Sequence, residues 1–294
     1  MQCKEAIAQD LFHLRNLNKS PHTLKQYRID LEQLAQALDE ARIEDVTSEE
    51  FRHFAIHYED VLLEAGFKPT SVRRKISSLR SFVHYLAVAH IIEEDFKSAI
   101  LHTQPYQVEV RIPSMTEVSA VYHHYEEPAE MTNYEEWLPF RNRSIVQLMI
   151  DTGLKVAEIK NLRWGHFDQK ERKLALLRKN LTFQWIDLME KTVEDLQHYA
   201  KRTAELFDFE WEEGHALYFT DRGLMNEPMS ERTVERVVER ATVGESLDVR
   251  GSELRYFRLL QRSIQEDPED LLKHFGYASK EQMIQRLQQL KPKR

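Results

Sequence analysis

Apolar residues return every three or four positions along most of this chain, the period of helices that bury one face. The first such stretch predicts a helix from Lys4 to Leu17. Ser20-Pro21 is a helix start signal, and a second helix opens at Thr23 and runs through Leu38, with Leu24, Tyr27, Leu31, Leu34 and Leu38 stepping by three and four. A third covers Thr47 to Ala65 and stops at Gly66. A fourth runs from Thr70 to about Ala89, with Val72, Ile76, Leu79, Val83 and Leu86 in one stripe.

The helical period is lost between Leu101 and Pro113, where Pro105, Val108, Val110 and Pro113 read as an extended linker. The expected division is a helical unit over 1–104, a linker over 105–113 and a second unit over 114–294. In the second unit, Met115 to Tyr125 and Phe140 to Asp151 are expected helices. Between them Glu126 to Pro139 is an acidic, proline-bounded loop, whose carboxylates would repel any polyanion and which is placed away from such a partner. The apolar run Ile145, Val146, Leu148, Met149 and Ile150 stops at Gly153, and a new amphipathic helix opens with Val156, Ile159 and Leu162. Lys173 to Leu177 and Phe183 to Leu188 are strand-like and joined at Arg178-Lys179-Asn180, and Ala216 to Asp221 reads as another strand. Glu190 to Phe207, Ser230 to Ala241 and Lys280 to Leu290 are helical. The predicted class is mainly α, in two domains, with a small antiparallel sheet in the second.

With 294 residues and 41% hydrophobic content the chain can bury a sizeable interior. No apolar run approaches the ~20 residues that span a bilayer, and no signal peptide opens it, so a cytoplasmic protein without membrane partners is expected. The single cysteine, Cys3, makes no internal disulfide and offers no metal cluster; neither a metal nor a cofactor is expected. A net charge of −8 argues against bulk affinity for nucleic acid, but its distribution changes the picture. Between Glu64 and Glu93 there is no acidic residue, while Lys68, Arg73, Arg74, Lys75 and Arg80 fall in that window. On the fourth helix Arg73, Ser77, Arg80, Ser81 and His84 line a face beside the apolar stripe. A solvated polar face is the plain reading. Charge of one sign interspersed with small hydroxyls is also the mixture that contacts phosphates and base edges.

Asp151-Thr-Gly-Leu-Lys-Val-Ala-Glu-Ile159, followed by Lys160-Asn-Leu-Arg-Trp-Gly-His-Phe-Asp168, resembles the TGLR-x-SEL-x-x-L-x-W-x-D segment of tyrosine recombinases, the phage-integrase and Xer-like enzymes that cut and rejoin DNA. Ser20-Pro-His-Thr-Leu-Lys-Gln-Tyr27 and Pro69-Thr-Ser-Val-Arg-Arg-Lys-Ile-Ser-Ser-Leu-Arg-Ser-Phe82 look like the two DNA-facing helix starts of that family's core-binding domain. The resemblance implies the two-domain tyrosine-recombinase fold and double-stranded DNA as partner. It implies DNA contacts from Thr23, Lys25, Arg28, Thr70, Ser71, Arg73, Arg74, Ser77 and Arg80, joined by Lys155, Lys179 and Arg255.

Position by position, the same resemblance implies a depleted active site. Lys155 stands where the family has the arginine that clamps the scissile phosphate, a bidentate task an ammonium cannot repeat. Lys179 falls on the hairpin lysine that protonates the leaving oxygen, and Glu158 is kept. The H-x-L-R-H segment is here Ser252-Glu-Leu-Arg-Tyr256, in which Arg255 survives. L-G-H-x-S is Phe275-Gly-Tyr-Ala-Ser279, and Arg286 holds the position of the nucleophilic tyrosine. A phenolate must attack phosphorus, charged donors must stabilise the transition state, and an acid must protonate the leaving hydroxyl. With Lys155, Lys179, Ser252, Arg255, Tyr277 and Arg286 as vestiges of that machinery, no catalytic residue and no enzyme activity is expected.

The expected function is a sequence-specific DNA-binding regulator, a transcriptional repressor of phage or mobile-element origin. The alternatives are a recombinase with displaced residues, acting for example from Tyr277, and an accessory subunit of an active recombinase. The terminal helix carries Met283, Ile284, Leu287 and Leu290 on one stripe, which either folds back on its own domain or is exchanged to make a homo-oligomer on DNA. Self-association lost on truncation after Ser279 is the expectation. A small protein or peptide that switches the molecule is a further partner this reading admits.

Overall fold

The computed structural model describes residues 1–17, 19–101, 110–125, 133–178, 182–208, 210–220, 226–242 and 249–292. By contacts the chain divides into Met1–Val108 and Glu109–Arg294.

The first unit is helical: α1 (Cys3–Asn16), α2 (Pro21–Glu40), α3 (Glu49–Glu64) and α4 (Pro69–Val88). Ser20 caps α2, its Oγ accepting from the Thr23 amide at 3.1 Å, and Pro21 and Pro69 occupy first-turn positions where a missing N–H costs nothing. The stripe expected on α4 is buried to the last residue, Val72, Ile76, Leu79, Val83 and Leu86 meeting Leu31, Leu34 and Leu38 of α2 and Phe51, Tyr58 and Leu62 of α3 in one cluster. At about 1.5–3 kcal/mol for each large apolar side chain, this cluster is what holds the unit together.

The second unit is built on the pairing of α6 (Asn133–Thr152, following α5, Met115–His123) with α8 (Glu190–Phe207). Val110–Ile112, assigned above to the linker, form a strand, β1, that pairs in parallel with β5 (Leu290–Pro292). A short helix, α7 (Val156–Lys160), leads to a three-stranded antiparallel sheet of β2 (Phe167–Asp168), β3 (Lys173–Leu177) and β4 (Phe183–Asp187), in that spatial order. Helices α9 (Glu231–Arg240), α10 (Gly251–Ser263), α11 (Pro268–Phe275) and α12 (Lys280–Gln289) complete the unit.

Two further expectations change. Helix α6 begins at Asn133 and carries Pro139 inside it, where a loop was expected. The reason is Trp137, buried at 1% exposure with its indole N–H donating to Thr203 Oγ1 at 2.9 Å: anchoring that ring against α8 outweighs the lost backbone bond. Glu126 to Thr132, the rest of that acidic segment, lie outside the described residues. Ala216 to Phe219 are buried but join no sheet beyond a single bridge from Ala216 to Arg163. Burial on all sides imitates a central strand in sequence. Helix α12 packs on its own unit: Met283 and Leu290 are buried in the main cluster, Leu287 packs against it, and β5 continues the attachment.

Candidate nucleic-acid interface

The two helix starts singled out in the sequence come together in the first unit. Thr23 on α2 and Thr70, Arg73, Arg74 and Ser77 on α4 line one cleft of ≈ 430 Å³, with His22, Gln26, Tyr27 and Ser78. Arg73, Thr70 and Ser77 are exposed, Ser71 and Arg80 half-buried, and Lys25 and Arg28 exposed beside the cleft. The charged residues of this helix do not all serve the same end. Asp30 of α2, buried at 2% exposure, draws in the Arg74 guanidinium, the Lys75 ammonium at 3.4 Å and the Ser78 hydroxyl at 2.9 Å. Arg74, expected to contact DNA, is therefore half of an internal ion pair at the floor of the cleft, and Lys75 is buried. A buried carboxylate is costly unless paired, and two cations on α4 satisfy it. His84 likewise turns to Asp95 at 2.8 Å. Arg73 and Arg80 remain as the outward cations of α4 among those named, with Lys68 exposed just before the helix.

The second constellation gathers around Glu158. Its Oε2 accepts from the Lys155 amide at 2.8 Å, closing the first turn of α7. Its Oε1 accepts from Arg178 Nη1 at 2.8 Å, and Arg255 Nη1 lies 3.8 Å from Oε2. Arg255 is buried on α10, donates to the Gly153 carbonyl at 2.7 Å and to that of Phe275, and stacks over the Phe275 and Tyr277 rings at 5.2 and 5.8 Å. Arg178 donates from Nε to Gln184 at 2.7 Å and from Nη2 to the carbonyls of Lys273 and His274. The two guanidinia thus cap the C-terminus of α11, whose free carbonyls carry partial negative charge. Gly276 follows with φ +59, a conformation that side-chain-bearing residues rarely adopt, and a Cβ there would stand 3.0 Å from Arg178 Nη1, so a substitution would strain the backbone and push the guanidinium aside. Burial lowers both arginine pKa values while Glu158 raises them, and both remain cations. Arg178 entered the sequence reading only as a bend residue; one arginine in a turn carries no signal of what it reaches.

A second layer holds this one in place. Buried Asp151 accepts from the Met189 amide and the Thr192 hydroxyl, both at 2.8 Å, and from Arg258 at 3.4 Å; burial raises its pKa. His274 donates from Nε2 to the Thr152 carbonyl at 2.8 Å, which leaves Nδ1 to accept from Arg262 at 2.6 Å. Burial first, and Arg262 second, push its pKa down to about 4, so it is neutral.

Of the other positions that the resemblance picked out, Lys155 and Ser252 are exposed. Tyr277 is half-buried, its pKa raised by burial against the opposing pull of Arg255. Arg286 lies with its guanidinium 5.2 Å from the ring centre of Tyr256 and donates to Gln289 at 3.1 Å. The structure therefore brings Arg255, Tyr256, Tyr277 and Arg286 into one cluster, while Lys179 lies outside the described residues. Among the described residues no group of three or more His, Cys, Asp or Glu is placed to hold a metal ion, and no helix is long and apolar enough to cross a membrane.

Residues 117–290 match the phage integrase family, and residues 9–90 match the phage integrase N-terminal SAM-like domain. The chain is 33% identical over 144 residues to a tyrosine recombinase of Agathobacter rectalis, which covers 48% of this chain and 45% of that one. It is 26% identical over 247 residues to tyrosine recombinase XerC of Chlorobaculum parvum, covering 76% and 70%. The chain thus spans about half the length of the first of these relatives. Two solved structures share the fold: XerH site-specific recombinase bound to palindromic difH substrate (TM-score 0.73, 14% identity, 92% of this chain and 77% of that one), and a lambda integrase dimer bound to a COC' core site (TM-score 0.71, 18% identity, 98% and 95%).

Proposed function

We propose, because this chain belongs to the phage integrase family, that it holds double-stranded DNA sequence-specifically and does not cut it. The observation that carries the reading is Arg286. At the position where the family's phenol would attack phosphorus there is a guanidinium laid against Tyr256, which has no nucleophilic chemistry. The surrounding charges support the same reading, since Arg178 and Arg255 are engaged by Glu158 and by backbone carbonyls. Tyr277 is a poor substitute nucleophile: burial raises its pKa, and its ring is packed under Arg255.

Binding does not need the lost chemistry. The α2/α4 cleft offers hydroxyls from Thr23, Thr70 and Ser77 and an outward Arg73, groups that bond phosphate oxygens and base edges. A protein that occupies DNA without breaking it acts by exclusion, and the role that follows is a transcriptional repressor of phage or mobile-element origin. A nicked suicide duplex carrying a site selected from a random pool tests the reading. The expected result is a salt-sensitive complex that sodium dodecyl sulfate dissolves completely; a tyrosine-linked adduct would overturn it.

A further inference from the structure

Strand β4 is the outer strand of its sheet and has a single neighbour, β3, among the described residues. The Arg178 amide donates to the Thr182 carbonyl at 2.9 Å and the Leu188 amide to the Arg172 carbonyl at 2.8 Å. Alternation along an antiparallel ladder then turns the N–H and C=O of Gln184 and Ile186 toward β3 and those of Phe183, Trp185 and Asp187 outward. The outward residues also present their side chains on the sheet face away from the core. Trp185 is 55% exposed, Phe183 56%, and Leu177, paired with Phe183 across the ladder, 49%. Ala175 lies beside Trp185, and the His166 ring meets Phe183 at 5.6 Å. Edges are ordinarily protected by lysine, proline or a bulge; Phe-Gln-Trp-Ile-Asp has none of these and pairs in unbroken register.

We propose that this edge is the contact between two copies of the chain, β4 pairing antiparallel with β4 of the second copy about a two-fold axis through Trp185. The strand is self-complementary in that register. Trp185 meets Trp185, each Phe183 stands opposite an Asp187, and the two Asp187 carboxylates lie at opposite ends, about 13 Å apart. That exceeds the ~10 Å screening length, so no like charges are opposed. Trp185 is central and aromatic, the residue type that dominates contact energy. The half-exposed apolar side chains amount to something on the order of 300 Å² per copy, well short of the ~800 Å² per partner of a stable interface. The contact is therefore weak alone, and forms where copies are already concentrated, as on neighbouring half-sites of one duplex.

The test needs no DNA, so its failure is distinct from a failure of the DNA-binding reading. Phe183→Cys and Asp187→Cys, both of which keep Trp185, are oxidised at high protein concentration, with the wild-type chain, whose only cysteine is the buried Cys3, as blank. Paired Cα atoms in this register stand ~5.5 Å apart, within disulfide reach. An equimolar mixture of the two variants should give roughly tenfold more linked dimer than either variant alone. Trp185→Arg added to both variants should abolish that linking, and in the otherwise wild-type chain the concentration-dependent rise in sedimentation coefficient. Absence of linked dimer from the mixture, or equal linking by the mixture and by each variant alone, overturns the proposal.

Discussion

In the proposed reading, single residues on one helix divide between folding and recognition, and the division is measurable. Arg73 points outward while Arg74, its neighbour, is bound to buried Asp30. Arg73→Ala should leave thermal stability unchanged and weaken DNA binding, lowering the salt slope by about one if its contact is to phosphate. Arg74→Ala should lower stability by about 1 kcal/mol, because Asp30 loses one of two cations, discounted for the partial exposure of Arg74. Equal effects of the two substitutions on denaturation midpoint would sink this assignment. The sequence read both arginines alike, since neighbouring residues on a helix differ in direction by about 100° and the partner, Asp30, is on another helix. Asp10 carries a separate prediction. It is buried on α1 with neither carboxylate oxygen hydrogen-bonded, and burial raises its pKa to about 7. The folded state thus prefers the proton more than the unfolded chain, where the value is about 3.9. Its contribution is fully present below about pH 4 and is lost as pH rises toward 7. Asp10→Asn should flatten that loss and stabilise the protein at pH 7.5, read from urea denaturation across the range; an unchanged pH profile would count against it.

Elements were legible where one face is buried and obscure where burial is total or the anchor is tertiary. The α4 stripe could be read directly, whereas the extent of α6 depended on Trp137 finding Thr203, and Ala216 to Phe219 on having no strand beside them. The candidate site divides in the same way. Arg255 and Arg286 were placed by motif spacing, but Arg178 gained its role only once β3 met α11. Its four acceptors make it the tie between hairpin and helix end. Arg178→Lys keeps the charge and loses the fork geometry. Amide exchange in β3 and β4 should accelerate while the salt slope of DNA binding stays unchanged, because this guanidinium serves carbonyls and not phosphates. A reduced salt slope would make Arg178 a DNA ligand. The terminal helix behaves likewise. Deleting everything after Ser279 removes Met283, Leu287 and Leu290 from the core and β5 from β1, and should cost several kcal/mol of stability in the second unit. A truncated chain that denatures at the wild-type midpoint would show that α12 contributes no packing.

On the scale of the whole molecule, the two contact units carry different parts of the proposed function, and this can be tested by separating them. Residues 1–108 hold a closed apolar cluster of their own, drawn from all four helices, and the cleft between α2 and α4 lies entirely within it. Its main elements are helices α1 to α4, the kind of topology that folds fast. The isolated unit should therefore denature in one cooperative transition, with helical content matching α1 to α4. Its charge makes the binding prediction sharper. These residues contain 13 Lys and Arg against 16 Asp and Glu, a net of −3, so any affinity for a duplex must come from the local face around Arg73 and Arg80 and not from bulk attraction. The isolated unit should retain salt-dependent binding at an affinity reduced by ~10²–10⁴, the range lost when two linked contacts become one. Arg73→Ala in this fragment should weaken what remains. A fragment that folds cooperatively yet shows no salt-dependent binding would place recognition in residues 109–294 and remove the α2/α4 cleft from the interface.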